Sequence, residues 1–174
     1  HATAPNQMLH FDFVFIVHAT TTSIHGFSWV LAMKDDFGRN VEFIPCVVPT
    51  AEIVVVGLLD WFKRFGIVRN LVCDHASTNL AEVVQTLCVR LNIDMHFNVI
   101  DSSHTLGTME RVMRSLRASL VALASDWLLD LDYWPYLLPN VQHGILITPI
   151  ENAGGLTPCE IAFGRAPLGC CIAA

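Results

Sequence analysis

The stretch LHFDFVFI, residues 9–16, alternates apolar side chains with others at the period of a β-strand. Its odd-numbered residues are all Leu or Phe and fall on one face, whereas the other face carries His10, Asp12 and Val14. The sequence therefore predicts an opening strand with an acid in its middle.

The first half of the chain predicts a hairpin, a helix and a short strand after this opening. Residues 27–48 contain two apolar runs about the polar turn KDDFGRN, the pattern of an antiparallel hairpin. A helix is predicted over 51–65, with Thr50 as its cap and Gly66 as its stop. The apolar run VRNLVCD then predicts a buried strand that ends at Asp74.

The second half predicts two helices separated by a strand, followed by shorter helices. After the sequence STN, apolar residues recur at helical spacing, which predicts a helix that ends at Asn92. The stretch DMHFNVI then predicts a fifth strand. A long helix is predicted from about Gly107 to Ser125, and residues 126–147 read as helical around their prolines. The stretch TPCEIAFG, residues 157–164, has the pattern of a capping box with Gly164 as terminator. This order predicts one α/β domain over 1–174, with its core at about 8–168 and a five-stranded mixed sheet flanked by helices.

Composition limits the kind of protein. With 174 residues, 53% of them hydrophobic and 15% charged, the chain has ample material for a core. It has no apolar run of the roughly 18 to 20 residues that span a bilayer, and its opening lacks a signal-peptide pattern, so we expect a soluble intracellular protein. Because it begins at His1 rather than Met, we also expect a segment of something longer.

Charge and cysteine content argue against two further classes of protein. A net charge of -6 argues against a domain that binds nucleic acid through an overall positive charge, so any contact with nucleic acid must involve a local group of basic residues. The six Cys form no CxxC pair, and no two His residues have the spacing of a zinc finger, which argues against a structural zinc site. Cys73 and Cys88 lie in apolar surroundings and are expected to be reduced core thiols.

Three carboxylates fall at the ends or middles of predicted elements. Asp12 interrupts the first strand, Asp74 ends the fourth, and Glu110 opens a helix after a Gly. If the first and fourth strands are neighbours, all three acids converge at one edge of the sheet. Clustered carboxylates need protons or a cation, and all-oxygen sites suit Mg²⁺ or Mn²⁺. Each acid also has a structural reading, as a cap, as an acceptor of backbone N–H groups, or as the i,i+4 partner of Arg114.

The spacing of these three acids is similar to that of a known protein family. Residues 75–109, 35 in number, lie between Asp74 and Glu110, and 61 residues lie between Asp12 and Asp74. The chain resembles the catalytic core of retroviral and LTR-retrotransposon integrases, a ribonuclease H-like fold whose hallmark is two Asp and a Glu, commonly with 35 residues between the last two. The resemblance extends over nearly the whole chain, and LTPCEIAFGRAP is similar to the end of gypsy-type cores.

The resemblance implies an activity and its residues. Asp12, Asp74 and Glu110 would be catalytic and would hold two Mg²⁺ or Mn²⁺ ions for cleavage of DNA ends and strand transfer of 3′-hydroxyls. Arg114 and Arg117, one and two turns after the Glu, would contact DNA, although a solvated helix face is the alternative. His75 and His104, both expected in loops, are weaker candidates for DNA contact, and Arg111 is expected to be surface. DNA and a second copy of the chain are the implied partners. The resemblance also implies action in the nucleus, which the protein would reach from a cytoplasmic particle, and no association with a membrane. It further implies that a zinc-binding module and a C-terminal DNA-binding module lie outside this chain.

The chain departs from the family pattern at four positions near this site. Ala76 stands where Gly is usual, Asn79 where an aromatic is usual, and Leu106 and Met113 where polar residues are usual. Each change removes polar capability or permissive backbone. A catalytically weak or dead domain of the same fold, decayed or host-adopted and kept for dimerisation or binding, is therefore the first alternative. A cut-and-paste transposase or a nuclease of the same fold is the second.

Overall fold

The computed structural model describes residues 2–16, 23, 25–74, 81–98 and 103–165. In chain order the elements are β1 Met8–Phe15, β2 Trp29–Asp35, β3 Val41–Cys46, α1 Ala51–Phe65, β4 Asn70–Asp74, α2 Ala81–Leu91, β5 Asp94–Asn98, α3 Ser103–Asp126, α4 Trp134–Ile147 and α5 Pro158–Phe163, with 3₁₀ turns at Leu131–Tyr133 and Glu151–Ala153. No helix in these ranges is long and apolar enough to cross a membrane.

The five strands form one mixed sheet in the order β3-β2-β1-β4-β5. β1, β2 and β3 pair antiparallel, as the hairpin pattern predicts, and β4 and β5 join by parallel pairing on the other side of β1. β1 and β4 are neighbours, which is the condition on which convergence of the acids depended. The predicted fold class is confirmed.

Both faces of the sheet are covered by helices, so β1 is buried on its two sides. Leu9 and Phe11 belong to a core shared with α1 and α2, whereas Val14 belongs to a second core shared with α3 and α4. His10 lies on the same face of β1 as Val14 and is only 3% exposed, because helices cover this face as well as the face of Leu9 and Phe11. The acid of β1 therefore sits in a strand that helices cover on both faces.

Local signals set the ends of α1. The Thr50 side chain accepts a hydrogen bond from the Ile53 N–H at 3.4 Å, and Gly66 at φ 86° ends the helix. Gly57 lets the helix approach the sheet, because a Cβ at this position would lie 2.9 Å from Ile44 Cδ1. The predicted bounds of this helix are confirmed.

A capping box begins α5. The Glu160 N–H donates to Thr157 Oγ1 at 3.1 Å, and the Thr157 N–H donates to Glu160 Oε2 at 2.8 Å. The helix ends at Gly164, which adopts the left-handed conformation.

Removal of this cap should destabilise the domain measurably. Thr157→Ala is expected to lower the free energy of unfolding by about 0.5–2 kcal/mol, because the first turn of α5 loses its side-chain acceptor. Urea denaturation followed by circular dichroism would measure the change. Thr86→Ala, an exposed mid-helix position in α2, is the matched control and should be neutral or slightly stabilising, since Ala is the better helix former. Equal losses in the two variants would contradict the capping role.

Candidate functional site

The register of β1 and β4 places two acids side by side. Phe11 pairs with Cys73 in the parallel ladder, so the next residues, Asp12 and Asp74, occupy adjacent positions toward the carboxyl ends of both strands. Asp74 also pairs with Asn98 in β5. The sheet thus brings together two of the three predicted positions from residues that lie far apart in the chain.

The Asp12 side chain is half-buried and oriented by its own backbone neighbour. Its Oδ1 accepts a hydrogen bond from the Phe13 N–H at 2.8 Å. Strand alternation puts Asp12 on the same face as Val14, which packs in the core that α3 covers. The side chain of Asp74 lies outside the described part of the structure, so only its backbone position is established.

Glu110 is the eighth residue of α3 and is largely exposed. Its Oε1 lies 2.8 Å from Nη2 of Arg114, with side chains 69% and 75% exposed respectively. The structural reading of Glu110 as an i,i+4 partner is therefore what the structure shows. Because an exposed pair of this kind is worth only about 0–1 kcal/mol, it does not prevent the carboxylate from binding another cation.

Arg117 ties the same face of α3 to the end of β1. Its Nη2 donates a hydrogen bond to the Phe15 carbonyl at 3.2 Å. Glu110, Arg114 and Arg117 recur at helical spacing and share one face of α3, and Arg117, two turns after Glu110, is the residue of this face that contacts the carboxyl end of β1. Both arginines are exposed and have partners within the protein.

The donor set at this edge suits a hard cation. Asp12, Asp74 and Glu110 offer only carboxylate oxygens, the ligands that Mg²⁺ and Mn²⁺ prefer. Among the side chains that the structure describes, no group of three His, Cys, Asp or Glu is placed to hold a metal, and the Asp74 carboxylate is not among them. The fit of these three residues to Mg²⁺ or Mn²⁺ thus rests on the type of their donor atoms.

The structure corrects one prediction and leaves others untested. His104 does not lie in a loop, because α3 begins at Ser103 and contains Gly107 in its interior. A single Gly costs a helix only about 1 kcal/mol, which a helix packed against the sheet tolerates, so Gly107 does not mark its start. His75, Ala76 and Asn79 lie outside the described residues, and the side chains of His104 and Leu106 are not described.

Met113 has a clear structural role. It is 7% exposed and packs in the core between α3 and the sheet. The apolar residue at this position therefore contributes to packing rather than to the exposed face of α3.

Sequence reasoning missed a basic cluster on another face of α3. Arg111 is exposed, as predicted, but it lines a cavity together with Lys34 and Arg39. The sequence pattern assigns Lys34 to the polar turn KDDFGRN, whereas the structure places it inside β2, where it is buried. The hairpin turn and α3 meet only in the folded chain, so the sequence did not indicate that these cations converge.

No protein-family model matches the chain. The chain is 28% identical over 165 residues to the Gag-Pol polyprotein of avian reticuloendotheliosis virus, covering 94% of this chain and 14% of that protein. It is 30% identical over 150 residues to the Gag-Pol polyprotein of feline leukemia virus, covering 83% of this chain and 8% of that protein. The chain thus spans a small part of the curated relatives it matches.

Solved structures share the fold. The HTLV-2 integrase catalytic core domain in complex with magnesium, in its trimeric form, matches with a TM-score of 0.73 and 16% identity, over 93% of this chain and 99% of that one. A chain of the simian T-cell lymphotropic virus intasome in complex with PP2A regulatory subunit B56 gamma matches with a TM-score of 0.76 and 16% identity, over 95% of this chain and 57% of that one. The chain is homologous to a segment of retroviral polyproteins and has the fold of retroviral integrase catalytic core domains.

Proposed function

We propose that this chain is the catalytic core of a retroelement integrase, which cleaves DNA ends and transfers their 3′-hydroxyls into target DNA. The observation that carries the proposal is the parallel register of β1 and β4, which makes Asp12 and Asp74 neighbours in the sheet. The contact of Arg117 with the Phe15 carbonyl supports the same site, because Arg117 shares a helix face with Glu110. Similarity to retroviral polyproteins and to a magnesium-bound core of the same fold supports it.

Asp12, Asp74 and Glu110 would hold two Mg²⁺ or Mn²⁺ ions. Held by these residues, such ions would supply Lewis-acid polarisation of the phosphodiester and activation of the attacking water or hydroxyl. The chain's own contribution is positioning. The Phe13 N–H orients the Asp12 carboxylate, and the packing of α3 on the sheet fixes the place of Glu110.

Arg114 and Arg117 would bind DNA phosphates at the edge of this site. A guanidinium matches a phosphate in bidentate geometry, so a local pair of arginines can contact DNA on a domain of net charge -6. Arg114 neutralises Glu110 in the structure, and a phosphate would compete for the same guanidinium. His75 and His104 remain weaker candidates for contact with the same DNA.

The origin and setting of the chain belong to the same proposal. The FGR segment that ends the core favours a gypsy-type retrotransposon, whereas the avian and feline relatives are retroviral. Work on DNA by homodimers or higher oligomers, with zinc-binding and C-terminal modules elsewhere in the full protein, follows from the integrase assignment. So does a nuclear site of action that is reached from a cytoplasmic particle.

A catalytically weak or dead domain is the second candidate, and Met113 favours it. This residue stands where the family carries a polar group and is buried in the core. Strand joining of a labelled DNA end into plasmid by the purified chain with Mn²⁺ decides between the two. A disintegration substrate belongs beside it, because an isolated core can lack the modules that hold DNA ends. Product from either substrate supports an active integrase core. A folded protein that gives no product with either substrate supports the catalytically weak or dead domain.

Loss of either arginine should weaken the salt dependence of DNA binding. In Arg114→Gln or Arg117→Gln, each removed phosphate contact should lower the slope of log affinity against log salt concentration by about 0.9. Fluorescence anisotropy with a labelled duplex at several salt concentrations measures the slope. Arg90→Gln, an exposed arginine on α2, is the matched control and should leave the slope unchanged. The same slope in all four proteins would show that the two arginines form only a solvated helix face.

A further inference from the structure

A cavity of about 780 Å³ lies between α3, α4 and the β2–β3 hairpin, and one end of it is basic. Lys34 from β2, Arg39 from the hairpin turn and Arg111 from α3 all line it. Arg111, Ser115 and Ser119 recur at i,i+4 and line the cavity, whereas Glu110, Arg114 and Arg117 do not line it, so the cavity uses a different face of α3 from the carboxylate site.

Lys34 is a buried cation. Its side chain is 3% exposed. Burial and the nearby Arg39 are the main causes that lower the pKa of its ammonium to about 8. Within the described residues, Lys34 makes no salt bridge, whereas the buried Glu42 carboxylate is paired with Arg64. A buried ammonium of this kind is stabilised when an anion enters the cavity.

The acids that line the cavity do not neutralise its basic end. Asp126 lines the opposite end, 15 residues after Arg111 and therefore about 22 Å farther along α3. Glu151 also lines the cavity but is exposed to solvent. Asp35 and Asp36 also act on Lys34, but they do not line the cavity, and their carboxylates accept hydrogen bonds from the backbone N–H groups of Asn6 and Gly38 and of Ala2, respectively. Three cations thus line one end of the cavity.

The remaining wall is largely apolar. Its apolar part includes side chains of β3, α3 and α4, namely Val41, Val112, Leu123, Val141 and Ile145. A ligand that fills the cavity therefore meets a charged end and an apolar body, the usual division of a small-molecule site.

We infer that this cavity binds a small organic phosphate, whose phosphate group is held by Lys34, Arg39 and Arg111 and whose apolar or aromatic body packs between α3 and α4. Two guanidinium groups beside an ammonium match the several oxygens of a phosphate. None of these three residues is assigned to DNA chemistry, so the cavity can be tested separately from the proposed integrase activity.

Calorimetric titration of the full chain tests the site with phenyl phosphate as probe and with inorganic phosphate and phenol as its two halves. We expect phenyl phosphate to bind at least about tenfold more tightly than either half, since charge-assisted hydrogen bonds and apolar contacts act together. Lys34→Met and Arg111→Gln should each weaken its binding at least about tenfold, the scale of one charge-assisted hydrogen bond. Arg90→Gln should bind like the wild type.

Two results would overturn the inference. One is equal affinity for phenyl phosphate in the wild type and Arg111→Gln, a variant of an exposed residue that is expected to fold normally. The other is equal affinity for phenyl phosphate and inorganic phosphate, which would leave the apolar wall without a role. Circular dichroism of Lys34→Met confirms that this variant is folded before its affinity is interpreted.

The pH dependence supplies a readout that belongs to Lys34. Affinity should fall between pH 7 and 9 in the wild type, because the ammonium loses its proton near pH 8 while phenyl phosphate stays a dianion. The charged or titratable groups around Lys34 are His10, Asp35, Asp36, Arg39 and Arg111. Burial lowers the pKa of His10, so this side chain is neutral throughout that range. A fall of the same size in Lys34→Met would contradict the assignment.

Discussion

Glu110→Gln should abolish strand joining while leaving the fold intact. We expect the rate to fall at least about 10²-fold, the scale for removing one charged or hydrogen-bonding group that stabilises a transition state, because the amide keeps the size of the side chain but not its charge. Glu110 is 69% exposed and is paired with the exposed Arg114, so the free energy of unfolding should change by no more than about 0.5 kcal/mol. Product formation per unit time, with Mn²⁺ and both substrates, measures the rate.

The control for this prediction is Glu82→Gln. Glu82 is likewise exposed on a helix, in the first turn of α2. The Glu82→Gln variant should join strands at the wild-type rate. If Glu110→Gln retains the activity, Glu110 is only the surface partner of Arg114, and the proposed metal site loses its third ligand.

Leu116→Ala should produce a large loss of stability. Leu116 is fully buried in the core between α3 and the sheet, where it belongs to the same cluster as Val14 and Leu137. Truncation leaves a cavity, so the free energy of unfolding should fall by about 2–5 kcal/mol. In a chain of this length the melting temperature should drop by about 5–15 °C. Urea denaturation and calorimetry measure the two quantities.

Leu128→Ala is the matched control for this truncation. Leu128 is 93% exposed just beyond the end of α3, and its removal should change stability by no more than about 0.5 kcal/mol. A similar cost at both positions would mean that α3 is not held on the sheet as the structure shows. The proposed place of Glu110 in the metal site would then have no support.

The fold could be predicted from the sequence where its signals are local. The helix over 51–65 has a capping Thr50 and a terminating Gly66, and α5 has its box at Thr157. These contacts join residues within a turn of each other, so the residue types alone specify them. The start of α3 was predicted wrongly, because Gly107 has the same local preference whether a helix begins there or continues through it, and packing decides between the two.

The sequence by itself determined the strand and helix pattern and the spacing of Asp12, Asp74 and Glu110, because alternation and caps depend on neighbours in the chain. Only the tertiary structure decided what those residues meet. The register of β1 against β4 sets Asp12 beside Asp74, and the packing of α3 brings Arg111 to the cavity that Lys34 also lines. These pairings bring together residues distant in sequence, and they are set by burial of both faces of the sheet, which no local pattern specifies.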